Sequence, residues 1–285
     1  MRPYAKGASK IRNAKQEGRK CMKIGFIGLG NMAKAIIGGM LEKQVVEPGE
    51  LIGSAATAKT LEAVSERFGI ETTPDNCRVA EESDILFLAV KPQMFPQVIA
   101  QVKDCVDEKT LVISIAAGKT TAYIEQEFGK TLRLVRCMPN TPALVGEGCT
   151  GVCYNLQVTD EDKALAEKLL SSFGRAVEVP ERLMDTVGAV AGSAPAYVCM
   201  FVEAMADAAV LGGMPRAQAY EFAAQTVLGT AKLILETGKH PAELKDMVCS
   251  PAGTTIEGVR VLERQGMRSA VVEALTACVE KSKRL

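Results

Sequence analysis

A short apolar segment that runs straight into a glycine-rich turn is the feature that most restricts the fold of this chain. Residues 23–27 read Lys-Ile-Gly-Phe-Ile, the turn Gly28-Leu29-Gly30-Asn31-Met32-Ala33 follows, and apolar residues then recur at helical spacing. A strand, a G-x-G-x-x-A turn and a helix in this order are typical of sheets that bind a dinucleotide. The first glycine allows the tight bend, the second lets a pyrophosphate approach the backbone, and the small third residue lets helix and strand lie close together. The alternative is a glycine turn whose only role is to let the strand and the helix pack closely.

Strand and helix patterns alternate from this turn to about residue 182. The runs 84–90 and 111–115 are apolar without interruption, as expected for inner strands of a parallel sheet covered on both faces. Further strands are predicted at 51–53, 132–137, 151–154 and 176–179, and helices at 32–41, 61–68, 95–106 and 161–173. This alternation predicts an α/β fold, with an N-terminal doubly wound, Rossmann-like sheet domain over residues 23–182.

Only helix patterns follow, over residues 183–285. The predicted helices cover residues 195–211, 215–236, 242–248, 256–265 and 268–283. Several are apolar almost all round, for example AYVCMFVEAMADAAVLGG, and a helix of that kind must be covered on every side. A domain of about 100 residues has little interior for so many apolar faces. We therefore predict an all-helical dimerisation domain, with a compact monomeric bundle as the alternative.

Charge and composition argue against several classes of protein. The chain has 34 Lys plus Arg and 34 Asp plus Glu, so neither nucleic acid nor an anionic membrane is predicted as a partner. The apolar run 186–202 is short for a membrane span and is interrupted by Gly192–Pro195, so it is interpreted as a buried helix. Residues 1–22 are rich in Lys and Arg and poor in large apolar groups, which predicts a disordered tail, or an extension upstream of a natural start at Met22.

Metal-binding and acid–base residues are scarce. The nine cysteines show no spacing that predicts a metal site, and we interpret them as reduced, buried thiols of a cytoplasmic protein. The one histidine, His240, lies between Lys239 and Pro241 and is interpreted as a solvated turn residue rather than a catalyst. This inventory suits a substrate that arrives as a protonated imine, because its carbon is already electrophilic and mainly needs to be oriented.

The end of the predicted second strand indicates which dinucleotide is bound. An NAD site places an acidic residue there for the ribose 2′-hydroxyl, whereas Gly53–Lys59 contains hydroxyls, notably Ser54, and a lysine but no acid. NADPH is therefore the preferred cofactor, with NADH as a second option. Loops 89–93, 114–118 and 138–142 also follow strands and are candidate walls for the nicotinamide. Ordinary strand-to-helix turns are the alternative for these loops.

A second glycine-containing turn interrupts the apolar helices near the C-terminus. Residues 249–258 read CSPAGTTIEG, so a proline, a glycine and three hydroxyls fall between two helices. The segment is either an ordinary helix start or a nest of backbone N–H groups that holds an anion. In the second case Gly253 is expected to permit the unusual backbone angles of the nest.

Six motifs occur in the order that one enzyme family shows. IGFIGLGNMAKAII, ILFLAVKPQ, SIAAG, RCMPNTP, AGSAPAYV and LKDMVCSPAGTTIEGVRVLE together resemble the Δ1-pyrroline-5-carboxylate reductases, which catalyse the last step of proline biosynthesis. The resemblance runs from about Lys23 to the C-terminus, and the last motif is the most specific. It implies reduction of 1-pyrroline-5-carboxylate to L-proline with NAD(P)H. It also implies a homodimer of interlocked helical domains, and such dimers commonly assemble further into decamers.

The resemblance also assigns roles to single residues. The loop of Ser250, Gly253 and Thr254 is expected to bind the substrate carboxylate, and Thr255 to place the catalytic hydroxyl near the ring nitrogen. Ala55 stands where some members carry a serine, which removes one contact to the 2′-phosphate. The residues expected to contact the dinucleotide are Ile27, Gly28, Leu29, Gly30, Asn31, Met32, Ser54, Ala55, Asn76, Ala89, Val90, Lys91, Pro92, Ile115, Ala116 and Ala117.

Two other classes of protein remain open on the sequence. The β-hydroxyacid dehydrogenases share the GFIGLGNM start and a helical second half, but they carry glycine at the position of Ala33 and a catalytic lysine near the domain junction. The junction segment AGSAPAYVCMFVEA contains no lysine. A non-enzymatic dinucleotide-sensing protein would need no substrate loop, and the segment Ser250–Thr255 argues against it.

Overall fold

A computed structural model describes residues 22–284 and shows one eight-stranded sheet. Its strands are β1 Ile24–Ile27, β2 Leu51–Ser54, β3 Glu71–Thr73, β4 Ile85–Leu88, β5 Leu111–Ser114, β6 Arg133–Met138, β7 Gly148–Tyr154 and β8 Gly174–Glu178. They lie in the order β3-β2-β1-β4-β5-β6-β7-β8. The first six are parallel, β7 is antiparallel to β6, and β8 is parallel to β7. The order 3-2-1-4-5-6 confirms the predicted doubly wound fold. Except for Met22, the predicted tail of residues 1–22 lies outside the described residues.

Helices cover both faces of the sheet and make up the C-terminal part of the chain. Those interleaved with strands are α1 Asn31–Glu42, α2 Ala58–Phe68, α3 Asn76–Glu81, α4 Phe95–Val102, α5 Thr121–Phe128 and α6 Asp160–Leu170. Those that follow the last strand are α7 Met184–Val187, α8 Ala194–Leu211, α9 Arg216–Thr237, α10 Pro241–Val248, α11 Thr254–Arg264 and α12 Met267–Ser282. The four short elements β3, α3, α5 and α7 are absent from the predicted strands and helices, and the other elements lie close to their predicted bounds.

The uninterrupted apolar runs form the centre of the sheet, as predicted. All four residues of β4 and all four of β5 are buried, because helices cover both of their faces. The rings of Phe26 and Phe87 stack on one face with centroids 4.6 Å apart. The opposite face buries a second cluster that includes Leu88 and Val112. The sheet is therefore a rigid platform for the loops at its edges.

The apolar segment after the last strand is one long helical stretch, not a buried helix. It runs from Glu181 to Leu211 and includes a π-helical turn at Gly188–Ser193. Among the described residues it is the one helix long and apolar enough to cross a membrane, which by itself is weak evidence for a span, and 6% of its most apolar part is buried in the chain. The interpretation as a buried helix is wrong for the single chain, because α8 packs mainly on α9 and its other faces stay open.

Exposed apolar side chains are concentrated on these C-terminal helices. Phe222 is 64% exposed, Met200 66% and Leu211 91%. Others are Val198, Phe201, Leu228, Leu233, Leu235, Met247, Val248, Leu262, Val271 and Val272. Apolar surface of this extent on one part of a protein marks an interaction site. It agrees with the expectation that these helices are covered by a second subunit.

The interpretation of the cysteines as reduced, buried thiols is wrong for four of them. Cys77 and Cys105 form a disulfide with their Cα atoms 5.6 Å apart, a separation typical of such bonds. Cys149 and Cys199 are exposed. Cys137 does fit the prediction, because burial raises the pKa of its thiol far above the ordinary value and leaves it unreactive.

Candidate active site

Backbone hydrogen bonds bring the predicted cofactor loops together at the carboxyl edge of the sheet. The N–H of Gly28 donates to the carbonyl of Ser54 at 3.0 Å, and that of Ala89 donates to Ile27 at 2.9 Å. The N–H of Ile115 donates to Leu88 at 3.2 Å. The loops after β1, β2, β4 and β5 therefore border one crevice at the point where the strand order reverses, which is where ligands bind in open α/β sheets.

The two glycines of the first turn have different roles. Gly28 has φ +96°, and a Cβ there would lie 2.8 Å from the carbonyl oxygen of Ala89, so only glycine fits. Gly30 has an ordinary φ of −73°, and a Cβ there would meet nothing within 4 Å. The space beside Gly30 is therefore open to a ligand.

The start of α1 leaves its backbone donors free. Gly30 is the N-cap and supplies no side-chain acceptor, whereas the hydroxyls of Thr57 and Thr159 cap α2 and α6. The first N–H groups of a helix have no partner within the helix and carry partial positive charge. Open space and free donors at the same place fit the pyrophosphate of a dinucleotide.

Several residues predicted to contact the dinucleotide are buried in the protein core. Ile27 is 1% exposed, Leu29 2% and Ala116 3%. The side chain of Leu29 fills the space above Gly53, where an added Cβ would lie 2.7 Å from the leucine Cδ2 atom. Such residues can reach a ligand only through their backbone. Asn31 and Lys91 are exposed, and Met32, Ala89, Val90, Pro92, Ile115 and Ala117 are half-buried.

Ser54 holds a neighbouring amide instead of facing the surface. It is fully buried, and its hydroxyl donates to Asn76 Oδ1 at 2.6 Å. Asn76 Nδ2 in turn donates to Gln101 Oε1 at 2.8 Å. Thr57 is engaged as the cap of α2. Residues Gly53–Lys59, which include the half-buried Ala55, contain no acidic side chain. No carboxylate there would repel a 2′-phosphate, so NADPH still fits this surface.

The C-terminal loop is a tight turn whose strained residue is not the predicted one. The N–H of Gly253 donates to the carbonyl of Ser250 at 3.0 Å, with Pro251 and Ala252 between them. Ala252 has φ +56°, so the turn is of the type that takes proline second and a left-handed residue third. Gly253 has φ −79° and ψ 172°, so the expectation that it supplies unusual angles is wrong. A Cβ there would displace the Ser250 hydroxyl and lie 3.1 Å from the Ser250 carbonyl oxygen, so glycine lets this turn keep its shape.

This turn presents free polar groups to solvent. Gly253 is the N-cap of α11 and offers no side-chain acceptor, so the first N–H groups of that helix have no cap. Among residues 22–284, the hydroxyls of Ser250, Thr254 and Thr255 make no hydrogen bond, and all three residues are exposed. Free N–H groups and hydroxyls at one helix start fit a carboxylate.

The predicted site residues form two groups within one chain. The dinucleotide group surrounds the crevice of the sheet, and the substrate group lies at the start of α11, which packs against α12. Within the part of the chain that the structure describes, no hydrogen bond or ion pair joins Ser250–Thr255 to the crevice. His240 lies apart from both groups, is exposed as predicted, and accepts a hydrogen bond from the Ala242 N–H as the cap of α10.

The sequence analysis missed an ion pair beside the crevice, between the buried Arg136 and the half-buried Glu181. Arg136 on β6 is 6% exposed and donates to Glu181 at 3.1 Å, and Glu181 also accepts from the N–H and hydroxyl of Thr121. Burial opposes ionisation of Glu181, but the hydrogen bonds from Thr121 and Arg136 outweigh it and lower its pKa. A cavity of about 400 Å³ lies beside this pair and Gly118. The signal was an arginine inside an apolar strand, which requires a partner.

Fold and site together define a class, the Rossmann-type oxidoreductases with a helical C-terminal half. The family described as pyrroline-5-carboxylate reductase dimerisation matches residues 181–285, and the family described as NADP oxidoreductase coenzyme F420-dependent matches residues 23–118. The chain belongs to the pyrroline-5-carboxylate reductase family. It is 51% identical to the pyrroline-5-carboxylate reductase of Escherichia coli strain K12, over 92% of this chain and 98% of that protein. The identity to the enzyme of Methanosarcina acetivorans is 46%, over 92% of this chain and 97% of that protein.

Solved structures with the same family name share the fold. A pyrroline-5-carboxylate reductase from Coxiella burnetii superposes with a TM-score of 0.87 at 38% identity, over 93% of this chain and 98% of that one. The pyrroline carboxylate reductase of Plasmodium falciparum, solved with NADP bound, gives a TM-score of 0.84 at 32% identity, over 92% of this chain and 97% of that one. The likeness therefore extends over both the sheet and the C-terminal helices.

Proposed function

We propose that this protein reduces 1-pyrroline-5-carboxylate to L-proline with NADPH, the last step of proline biosynthesis. The observation that carries the proposal is the pair of helix starts without side-chain caps, α1 beside the open Gly30 and α11 in the turn of Ser250 and Gly253. One fits the pyrophosphate of the cofactor and the other fits the carboxylate of the substrate. Membership of the family supports the same pairing.

The residues of this chain orient and polarise the substrate. The N–H groups at the start of α11, with Thr254, hold the carboxylate, and the hydroxyl of Thr255 lies at the ring nitrogen. The bound cofactor supplies the hydride for the imine carbon. Because the protonated imine is already electrophilic, the protein mainly has to position it. His240 takes no part, since its ring caps α10.

The assembly, the location and the domain division belong to the same proposal. The description of residues 181–285 as a dimerisation region and the exposed apolar helices support a homodimer. Further assembly into decamers is proposed from the family resemblance. A cytoplasmic location and independence from nucleic acid and membranes are proposed from the composition and the balanced charge. We place the boundary of the dinucleotide-binding domain and the helical domain between residues 182 and 183, because the elements after β8 are helical.

The test of the function is NADPH oxidation at 340 nm, a wavelength at which the reduced nicotinamide absorbs and the oxidised one does not. We expect NADPH to be consumed with 1-pyrroline-5-carboxylate. We expect no NADPH to form from NADP⁺ with a panel of β-hydroxy acids. Turnover of a β-hydroxy acid alone would assign the chain to the β-hydroxyacid dehydrogenases. Cofactor binding without turnover of either substrate would favour a dinucleotide-sensing protein.

Cofactor preference follows from the missing acid after β2. We expect a lower KM for NADPH than for NADH, and we expect Ala55→Asp to reverse this order, because a carboxylate repels the 2′-phosphate and accepts from the 2′-hydroxyl. Ala55→Asn is the matched control, since it adds nearly the same volume without charge. Equal use of both cofactors by the parent protein, or the same reversal in Ala55→Asn, would contradict the electrostatic argument.

Gly253→Val should disrupt the substrate turn. The added Cβ would displace the Ser250 hydroxyl and lie 3.1 Å from the Ser250 carbonyl oxygen, so the serine side chain must rotate and the turn must shift. We expect the KM for 1-pyrroline-5-carboxylate to rise by at least about tenfold, the effect of losing one hydrogen bond to a charged group. Gly258→Ala is the control, because that glycine lies in α11 with open space around it. A KM that moves equally in both variants would argue against the anion site.

A further inference from the structure

The disulfide lies beside a residue of the proposed cofactor site. Cys77 follows Asn76 in the first turn of α3, and Cys105 follows α4. Both sulfur atoms lie close to the backbone carbonyl oxygen of Gln101, at 3.3 Å for Cys77 and 3.9 Å for Cys105. The disulfide thus fixes the start of one helix against the end of the next.

Gln101 connects this cross-link to the cofactor crevice. Its Oε1 accepts from Asn76 Nδ2 at 2.8 Å, and Asn76 Oδ1 accepts from the buried Ser54 hydroxyl at 2.6 Å. These two bonds set the orientation of the Asn76 amide and leave its second N–H for a ligand. Gln101 itself is exposed, so without the cross-link its side chain competes with water and is free to turn away.

The segment between the two cysteines supplies one wall of the crevice. The bond joins residues 28 positions apart. Between them lie β4, the loop Ala89–Pro92 and α4. The disulfide therefore ties together the two ends of the segment that supplies this loop.

We propose that Cys77 and Cys105 form a redox-modification site that sets the affinity of the chain for NADP(H). In the disulfide form Gln101 is held against Asn76 and the crevice is ordered before the dinucleotide arrives. In the dithiol form only side-chain packing holds α3 against α4, and the dinucleotide must order the contact of Gln101 with Asn76 on binding. The inference rests on the proposed function in one respect, the placement of Asn76 at the cofactor.

The chemistry balances with small thiols and disulfides as partners. The thiolate of one cysteine attacks a disulfide such as oxidised glutathione and releases one glutathione thiol. The second cysteine then attacks the mixed disulfide and releases the other, so two thiols are oxidised to one disulfide and two glutathione thiols are formed. A dithiol such as dithiothreitol reverses the reaction. Both cysteines are half-buried rather than closed off, and disulfides of cytoplasmic proteins are commonly transient.

The direct measurement is the Kd of NADP⁺ by calorimetry on the two redox forms of the full chain. One sample is oxidised with glutathione disulfide and the other is reduced with dithiothreitol, and peptide mass spectrometry after alkylation assigns the state of each cysteine. We expect the reduced form to bind about threefold to tenfold more weakly, the cost of ordering one or two side chains on binding. The kcat at saturating NADPH should be the same in both forms.

Variants separate the cross-link from general effects of oxidation. The double variant Cys77→Ser, Cys105→Ser should bind like the reduced form under both conditions. Gln101→Ala should bind like the reduced form and lose the redox dependence, although its disulfide still forms. Cys199→Ser is the matched control, because Cys199 is an exposed free cysteine, and it should keep the full difference.

The outcomes also separate this inference from the proposed function. The inference would be overturned by equal Kd values of NADP⁺ for the two forms, provided that the Cys77–Cys105 bond is verified in one form and absent from the other. A redox effect that persists in the double serine variant, or failure of the bond to form with glutathione disulfide, would also overturn it. A redox-dependent Kd without turnover of 1-pyrroline-5-carboxylate would support the inference and overturn the enzymatic assignment.

Discussion

Thr255→Ala should lower kcat for 1-pyrroline-5-carboxylate by an amount on the order of 10-fold to 1000-fold, as expected for one polar group directed at a transition state. The hydroxyl of Thr255 is exposed and, among the described residues, unbonded, so its removal costs the fold no internal hydrogen bond. The Kd of NADP⁺ should stay nearly constant, because the glycine turn that holds the dinucleotide is a separate element. Steady-state kinetics and calorimetry on the same preparation measure both quantities.

A helical threonine elsewhere supplies the control for this change. Thr230 is exposed on α9, and its hydroxyl donates to the carbonyl of Thr226 in the same helix. Thr230→Ala removes the same atoms from a different helix and should leave kcat unaltered. If Thr255→Ala is folded and turns over at the parent rate, Thr255 serves the helix start alone and its catalytic role is excluded.

Gly30→Val should weaken cofactor binding strongly and leave the fold nearly intact. The backbone at Gly30 has angles that any residue adopts, and the space beside it is empty of protein atoms, so the valine side chain occupies only the place of the pyrophosphate. Loss of two hydrogen bonds to a charged group corresponds to a rise in the Kd of NADP⁺ on the order of 100-fold. The melting temperature should fall by no more than about 4 °C, the effect of a poor N-cap.

The companion variant Gly28→Val should instead lower the stability of the fold. Its φ of +96° and the contact with the Ala89 carbonyl make a side chain costly to the fold itself, so the melting temperature should fall clearly. The two glycines of one motif are thereby separated into a structural residue and a ligand-binding residue. Equal losses of stability in both variants would contradict that separation.

The sheet could be predicted because its strands are long apolar runs with glycine or proline at their ends. Phe26, Phe87 and Ile113 lie in such runs, and no polar pattern competes with them. The edge strand β3 reads Glu-Thr-Thr, and only pairing with β2 makes it a strand. Sequence periodicity cannot detect an element of three polar residues that depends on a neighbour.

The site was predictable where local geometry decides and unpredictable where distant residues meet. The substrate turn was located from Pro251 and Gly253, but its left-handed residue was assigned to the glycine instead of Ala252. Counting from the proline would have found it, because the residue after the second position of such a turn takes positive φ. By contrast, the contact between Ser54 and Asn76 and the pairing of Cys77 with Cys105 depend on the tertiary fold, and cysteine pairing cannot be deduced from spacing alone.

In the proposed homodimer, the open apolar faces of α8 and α9 make folding and association one equilibrium. Side chains such as Leu211 and Phe222 gain their burial only when a second chain covers them, so part of the stabilising free energy scales with the logarithm of protein concentration. A substitution on these faces would then look severe in dilute solution and mild in concentrated solution. For this chain, a melting temperature has meaning only together with the concentration at which it was measured.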